Sequence, residues 1–201
     1  MIKKTPRCTA LWARKTAPQG DDWPWYADFV GQRQQHNYWT YHIIGETLKS
    51  NPQIRGIVEI GTGCGALTML LGCWARRLNV PIMTWDVAPS QALPVRQVLD
   101  ALQVQVCVGD CFEHEHSKKI EQFLAEVGPV YLLCDGGNKA KEMAHFGPGL
   151  HQGSLISGHD WECELDEGDI QGLLQHGFSR YRPETWTERN VQLVTLHKDF
   201  L

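Results

Sequence analysis

From about residue 36 onward the apolar positions alternate between helical spacing and short, nearly uninterrupted runs. "HNYWTYHIIGETLKSNP" sets Tyr38, Tyr41, Ile44 and Leu48 at helical spacing and stops before Pro52. "GIVEI" then reads as a strand, "ALTMLLGCWARRL" as a helix, "VPIMTWD" as the second strand, "PSQALPVRQVLDAL" as a helix interrupted by Pro94, and "VQVCVGD" as the third strand. "SKKIEQFLAEVG" follows as a helix. "VYLLCD" is a fourth strand whose continuous apolar run suits burial on both faces, "KAKEMAHF" a short helix, and "GSLISGHD" a fifth strand.

Strands that alternate with helices predict an α/β fold, a doubly wound, mostly parallel sheet covered on both sides with right-handed crossovers. The tail breaks the rhythm. After the helix "GDIQGLLQHGF", only "TERN" separates "SRYRPETW" from "VQLVTLHKD", a length that fits a hairpin and not a crossover. One of the seven strands is therefore expected to run antiparallel, in a C-terminal hairpin.

Residues 1 to 35 have no such periodicity, so the chain divides into an N-terminal arm or lid and a single domain over 36 to 201. The arm is basic at its start (Lys3, Lys4, Arg7, Arg14, Lys15) and aromatic later. Its aromatics either fold over a ligand, or Trp23, Trp25 and Trp39 pack on a second subunit in a homodimer.

Composition narrows the class. A chain of 201 residues, 42% hydrophobic, supports one domain with a substantial core. No apolar stretch approaches the roughly 18 to 20 residues that span a bilayer, so no membrane partner is expected. A formal charge of -4 gives no overall attraction to nucleic acid. Seven cysteines, several in or beside strand-like runs, indicate reduced thiols in a cytoplasmic protein, and the Cys107, Cys111 and His114 to His116 spacings are not those of a zinc site.

The chemistry concentrates at "VEIGTGCGALT", where Gly61, Gly63 and Gly65 fall in five positions directly after the first sheet strand. Glycine admits positive φ and close approach to the backbone, so the cluster implies a ligand pressed against the turn. "GTGCGA" also satisfies a dinucleotide pattern, with Asp86 near the distance of a ribose-binding acid, so a nicotinamide oxidoreductase is one reading. Against it, there is no room for a separate substrate domain and no Tyr-x-x-x-Lys pair.

The same residues resemble the class I S-adenosylmethionine (SAM)-dependent methyltransferases. Glu59 with Gly61, Gly63 and Gly65 matches that family's first motif, Asp86 in "TWDVAPS" its ribose-binding acid, and Asp110 in "VGDCF" its acid near the adenine amine. The resemblance covers about residues 36 to 198 and implies SAM as cofactor, held by Glu59, Gly61, Thr62, Gly63, Gly65, Asp86, Val87, Asp110, Cys111 and Asp135. "DGG…GHDW" is further similar to the cephalosporin hydroxylase-like proteins and to the cation-dependent small-molecule O-methyltransferases. That likeness implies Mg²⁺ at Asp135, His159 and Asp160, with His159 in place of the usual carboxylate, and His159 or Lys139 as general base. The acceptor implied is a small polyol, sugar or phenol. A SAM-binding module that catalyses nothing is the further alternative.

Overall fold

The computed structural model describes residues 27–29, 32–34, 36, 38–88, 90–185 and 191–199. Two short strands, β1 (Ala27–Phe29) and β2 (Gln32–Gln34), pair antiparallel. They precede the first described helix, α1 (Tyr38–Ser50). The rest follows the predicted alternation: β3 (Gly56–Ile60), α2 (Ala66–Leu78), β4 (Ile82–Asp86), α3 (Leu93–Ala101), β5 (Gln105–Val108), α4 (His114–Val127) and β6 (Val130–Cys134). Then come α5 (Lys139–Phe146), a single 3₁₀ turn (Gly147–Gly149), β7 (Leu155–His159), α6 (Glu167–Gln175), β8 (Phe178–Arg180) and β9 (Leu193–Lys198).

The main sheet has seven strands in the order β5-β4-β3-β6-β7-β9-β8. β3 through β7 pair parallel, and β9 lies antiparallel to both β7 and β8. The antiparallel ending expected from the short "TERN" connection is present, with β9 inserted between β7 and β8. This insertion departs from the all-parallel order of dinucleotide-binding dehydrogenases. The order reverses direction between β3 and β6, the switch point at which open α/β sheets leave a crevice beyond their carboxyl ends.

Local chemistry explains the element boundaries. Pro94 begins α3 instead of interrupting it, because proline fits the first helical turn, where no backbone N–H is needed. α4 starts at His114, three residues before the expected "SKK", so the His114 to His116 stretch is its first turn. α2 ends on Asn79 in the left-handed conformation, its N–H bonded to Ala75 and Arg76 carbonyls. α6 opens with a capping box between Asp166 and Asp169. β8 is shorter than predicted, only Phe178–Arg180.

The core lies around the central strands, where every residue of β3, β6 and β7 is buried. The edge strand β5 is mostly exposed, so Cys107 is only partly buried and not the interior residue its apolar run suggests. Cys64, Cys73, Cys107, Cys111 and Cys134 are free thiols, but Cys163 is disulfide-bonded, against the expectation that the cysteines are all reduced. No described helix is long and apolar enough to cross a membrane. Trp39 is 37% exposed on α1, while Trp23 and Trp25 lie outside the described residues.

Candidate active site

A cleft of about 840 Å³ opens at the carboxyl ends of the strands, on both sides of the switch point. One side is built from the turns after β3, β4 and β5, the other from those after β6 and β7.

Gly61, Gly63 and Gly65 all have positive φ (100°, 52° and 88°), but for different reasons. A Cβ on Gly61 would meet the Asp135 carbonyl oxygen at 2.3 Å, and one on Gly65 would meet Val95 Cγ1 at 2.8 Å. Packing alone therefore already requires glycine at two of the three positions, at the β3–β6 crossing and the α2–α3 contact, and Gly61 lines the cleft as well. Gly63 lines the cleft. Its N–H donates to Asp86 Oδ2 at 2.7 Å, and its carbonyl accepts from Ser90 Oγ and from Gln91 Nε2 (2.5 Å).

Asp86 thus holds the glycine turn with one oxygen, while its other accepts from the Ala88 N–H at 3.2 Å. A carboxylate has about four acceptor positions, so capacity remains for a ligand's hydroxyls. Asp110 closes its own turn by accepting from the Phe112 N–H at 2.9 Å. Val87, Asp110 and Cys111 line the same side of the cleft.

Glu59 and Thr62 do not line it. Glu59 is buried behind the glycine turn, where its Oε2 accepts from Thr68 Oγ1 and Thr84 Oγ1, each at 2.6 Å. Thr62 Oγ1 is bonded to Thr84 Oγ1 at 2.7 Å and fully buried, which leaves only its backbone for a cofactor. Burial pushes the Glu59 carboxyl up to about 7 against the lowering effect of the two threonine bonds.

On the other side Asp135, at the end of β6, stands between two imidazoles. His36 Nε2 lies 3.0 Å from its Oδ2 and His159 Nδ1 3.2 Å from its Oδ1. His159 Nδ1 is also 3.1 Å from Asp160 Oδ1. Asp160 Oδ2 in turn lies 3.0 Å from Lys139 Nζ, which reaches Glu164 Oε2 at 2.9 Å and the Gly136 carbonyl at 3.0 Å. The backbone assists: Asp160 has a left-handed φ of 60°, and its carbonyl accepts from the Cys163 and Glu164 N–H groups at the turn after β7. Glu142 secures the other turn by accepting from the Gly136 and Asn138 N–H groups.

These contacts set the charges. Burial would raise Asp135, but His159 and His36 outweigh it and hold the carboxyl well below the usual carboxylate range. Burial would likewise lower His159, yet Asp135, and then Asp160, push it up to about 10. His36 is lowered by burial and by His159 despite Asp135 beside it. Lys139 is raised, since Asp160, Asp135 and Glu164 overcome its burial, so it is held as an ammonium and is not poised as a base.

The sequence expectations for this side divide accordingly. Asp135, His159 and Asp160 do converge, on one imidazole nitrogen. As a Mg²⁺ site they fit poorly, because one donor is nitrogen and Asp160 is already engaged by an ammonium. His36, Glu142 and Glu164 were not among the expected residues. His36 lies 99 positions from Asp135, and its only sequence signal was its place at the start of the first helical pattern.

No protein-family profile and no curated protein matches this sequence. Solved structures do resemble it. cmcI with S-adenosylhomocysteine superposes with a TM-score of 0.62 at 17% identity, over 94% of this chain and 90% of that one. cmcI with Mg²⁺ and SAM gives 0.67 at 16% identity, over 95% and 84%. A Staphylococcus aureus protein assigned as a caffeoyl-CoA O-methyltransferase gives 0.57 at 13%, over 81% and 84%. The chain has the class I methyltransferase fold. In this methyltransferase fold the described glycine turn, Asp86 and Asp110 lie on one side of the switch-point cleft and Asp135 and His159 on the other.

Proposed function

We propose that the protein is a SAM-dependent methyltransferase that transfers the methyl group to an oxygen of a small polyol, sugar or phenol. The observation that carries this reading is the joint wall of the cleft: the Gly63 turn tied to Asp86, with Asp110 beside it, faces a separate charged cluster at Asp135 and His159. The first side suits a nucleoside, because Asp86 retains acceptor capacity for ribose hydroxyls. The solved structures of the same fold that hold SAM or S-adenosylhomocysteine support the choice of cofactor. The β9 insertion disfavours the nicotinamide reading, which expects an all-parallel sheet.

In such a reaction the acceptor hydroxyl loses its proton to solvent water, its oxygen attacks the sulfonium methyl carbon, and the carbon–sulfur bond breaks with its electron pair going to sulfur, leaving S-adenosylhomocysteine. In this arrangement His159 is an imidazolium at neutral pH, so it donates a hydrogen bond and orients the acceptor oxygen. Lys139 fixes Asp160 and the turn after β6. His36 docks on Asp135 and lines that side of the cleft.

The test is methyl transfer from labelled SAM to a panel of vicinal diols, sugars and phenols, with S-adenosylhomocysteine release measured alongside. Turnover with an oxygen acceptor is the expected result. Firm SAM binding with no turnover across the panel would instead identify a binding module.

A further inference from the structure

We propose that His36, Asp135 and His159 form a binding site for a divalent transition-metal ion, which pins the segment carrying His36 to the sheet. Among the described residues these side chains each offer a ligand atom within 4.8 Å of the others. The two imidazoles face opposite oxygens of one carboxylate, at 3.0 and 3.2 Å, and their ring centroids are 4.3 Å apart. Both histidines are buried, at 5% and 6% exposure, yet all three residues line the cleft.

The donor set decides the class of ion. Two imidazole nitrogens and one carboxylate oxygen suit Zn²⁺, Co²⁺, Fe²⁺ or Ni²⁺, whereas Mg²⁺ takes oxygen ligands and sheds water reluctantly. Three protein donors leave coordination positions for water or an acceptor oxygen. Asp160 is outside the set because Lys139 Nζ, 3.0 Å from its Oδ2, already neutralises it. His36 precedes α1 and Asp135 ends β6, so a shared ion would join parts of the chain 99 positions apart. The site stands on its donors whether or not the cleft transfers methyl groups. Within the methyltransferase reading an ion bound here replaces the proton on the His159 nitrogen and faces the cleft in which an acceptor would lie.

The experiment uses the full-length chain, stripped with chelator, exchanged into metal-free buffer and titrated with Co²⁺, Zn²⁺ or Mg²⁺ by equilibrium dialysis. Co²⁺ is also followed by its visible absorption. Co²⁺ and Zn²⁺ are expected to bind at about one ion per chain, with Mg²⁺ at least about 100-fold weaker. Residues that merely support a ligand cost roughly 10- to 100-fold in affinity, so His36→Ala and His36→Gln should each weaken Co²⁺ by about 100-fold or more and change its spectrum. Asp160→Asn removes a neighbour of His159 Nδ1 and not a ligand, so it should cost less Co²⁺ affinity than either His36 variant. S-adenosylhomocysteine calorimetry on each variant shows that it is folded and reports the cofactor site separately. Equal or tighter Mg²⁺ binding, unchanged Co²⁺ affinity in both His36 variants, loss of Co²⁺ in Asp160→Asn, or no ion bound at all would each overturn the proposal. If ions bind as expected but S-adenosylhomocysteine does not, the metal site stands and the methyltransferase reading falls.

Discussion

Glu59 gives the sharpest quantitative consequence of the fold. Its carboxyl is 1% exposed, its Oε2 takes both threonine hydroxyls, and its Oε1 has no hydrogen-bond partner among the described residues. Burial raises its pKa from 4.5 to about 7, so between those values the folded protein keeps a proton that the unfolded chain releases. Stability from this group is therefore fully present below about pH 4.5, falls as the pH rises toward 7, and is flat above. At about 1.4 kcal/mol for each pH unit the loss is roughly 3 kcal/mol. Glu59→Gln keeps an acceptor for Thr68 and Thr84 and carries no charge. Urea unfolding of both proteins from pH 4.5 to 8 should show the variant gaining on wild type by roughly 3 kcal/mol across that window, the other titrating groups cancelling in the difference. Parallel pH profiles for the two proteins would mean that Glu59 has the same pKa folded and unfolded.

Three further outcomes follow from the site. Asp86→Ala should weaken S-adenosylhomocysteine binding by about 1.5–3 kcal/mol in calorimetry, the range for hydrogen bonds to a charged group, while the fold persists. Gly63→Val should abolish binding by filling the cleft wall. Gly61→Ala should act on stability, because the new Cβ meets the Asp135 backbone; a loss of at least about 1–3 kcal/mol in denaturant unfolding is expected. Lys139→Met strips the ammonium from between Asp160 and Glu164; Asp160 keeps His159 at 3.1 Å, so a loss of about 1–3 kcal/mol is expected in the same unfolding.

The alternation of helix and strand was legible because nearly every buried strand is a continuous apolar run and the helices between them keep their period. The antiparallel β9 was legible from a connection too short for a crossover. The turn after β3 is legible in its three glycines, but the separate causes of each are not. Gly61 and Gly65 answer to Asp135 and Val95, contacts made between elements distant in sequence. His36 escaped for the same reason: its partner is 99 residues away, and no local pattern marks a histidine that docks on a strand end. Lys139 was visible as a charge near the site, but its protonation depends on Asp160 and Glu164, which only the turn after β7 brings to it. Edge strand β5 shows the limit of apolar runs, since Val106 and Val108 are exposed at 38% and 50%.

Whether the cleft binds SAM is measured directly by calorimetric titration of the full-length protein with S-adenosylhomocysteine and, separately, with NAD⁺. Saturable binding of S-adenosylhomocysteine that Asp86→Ala weakens, with no heat from NAD⁺, is the predicted result. Saturable NAD⁺ binding, or no binding of S-adenosylhomocysteine by the folded wild-type protein, would contradict it.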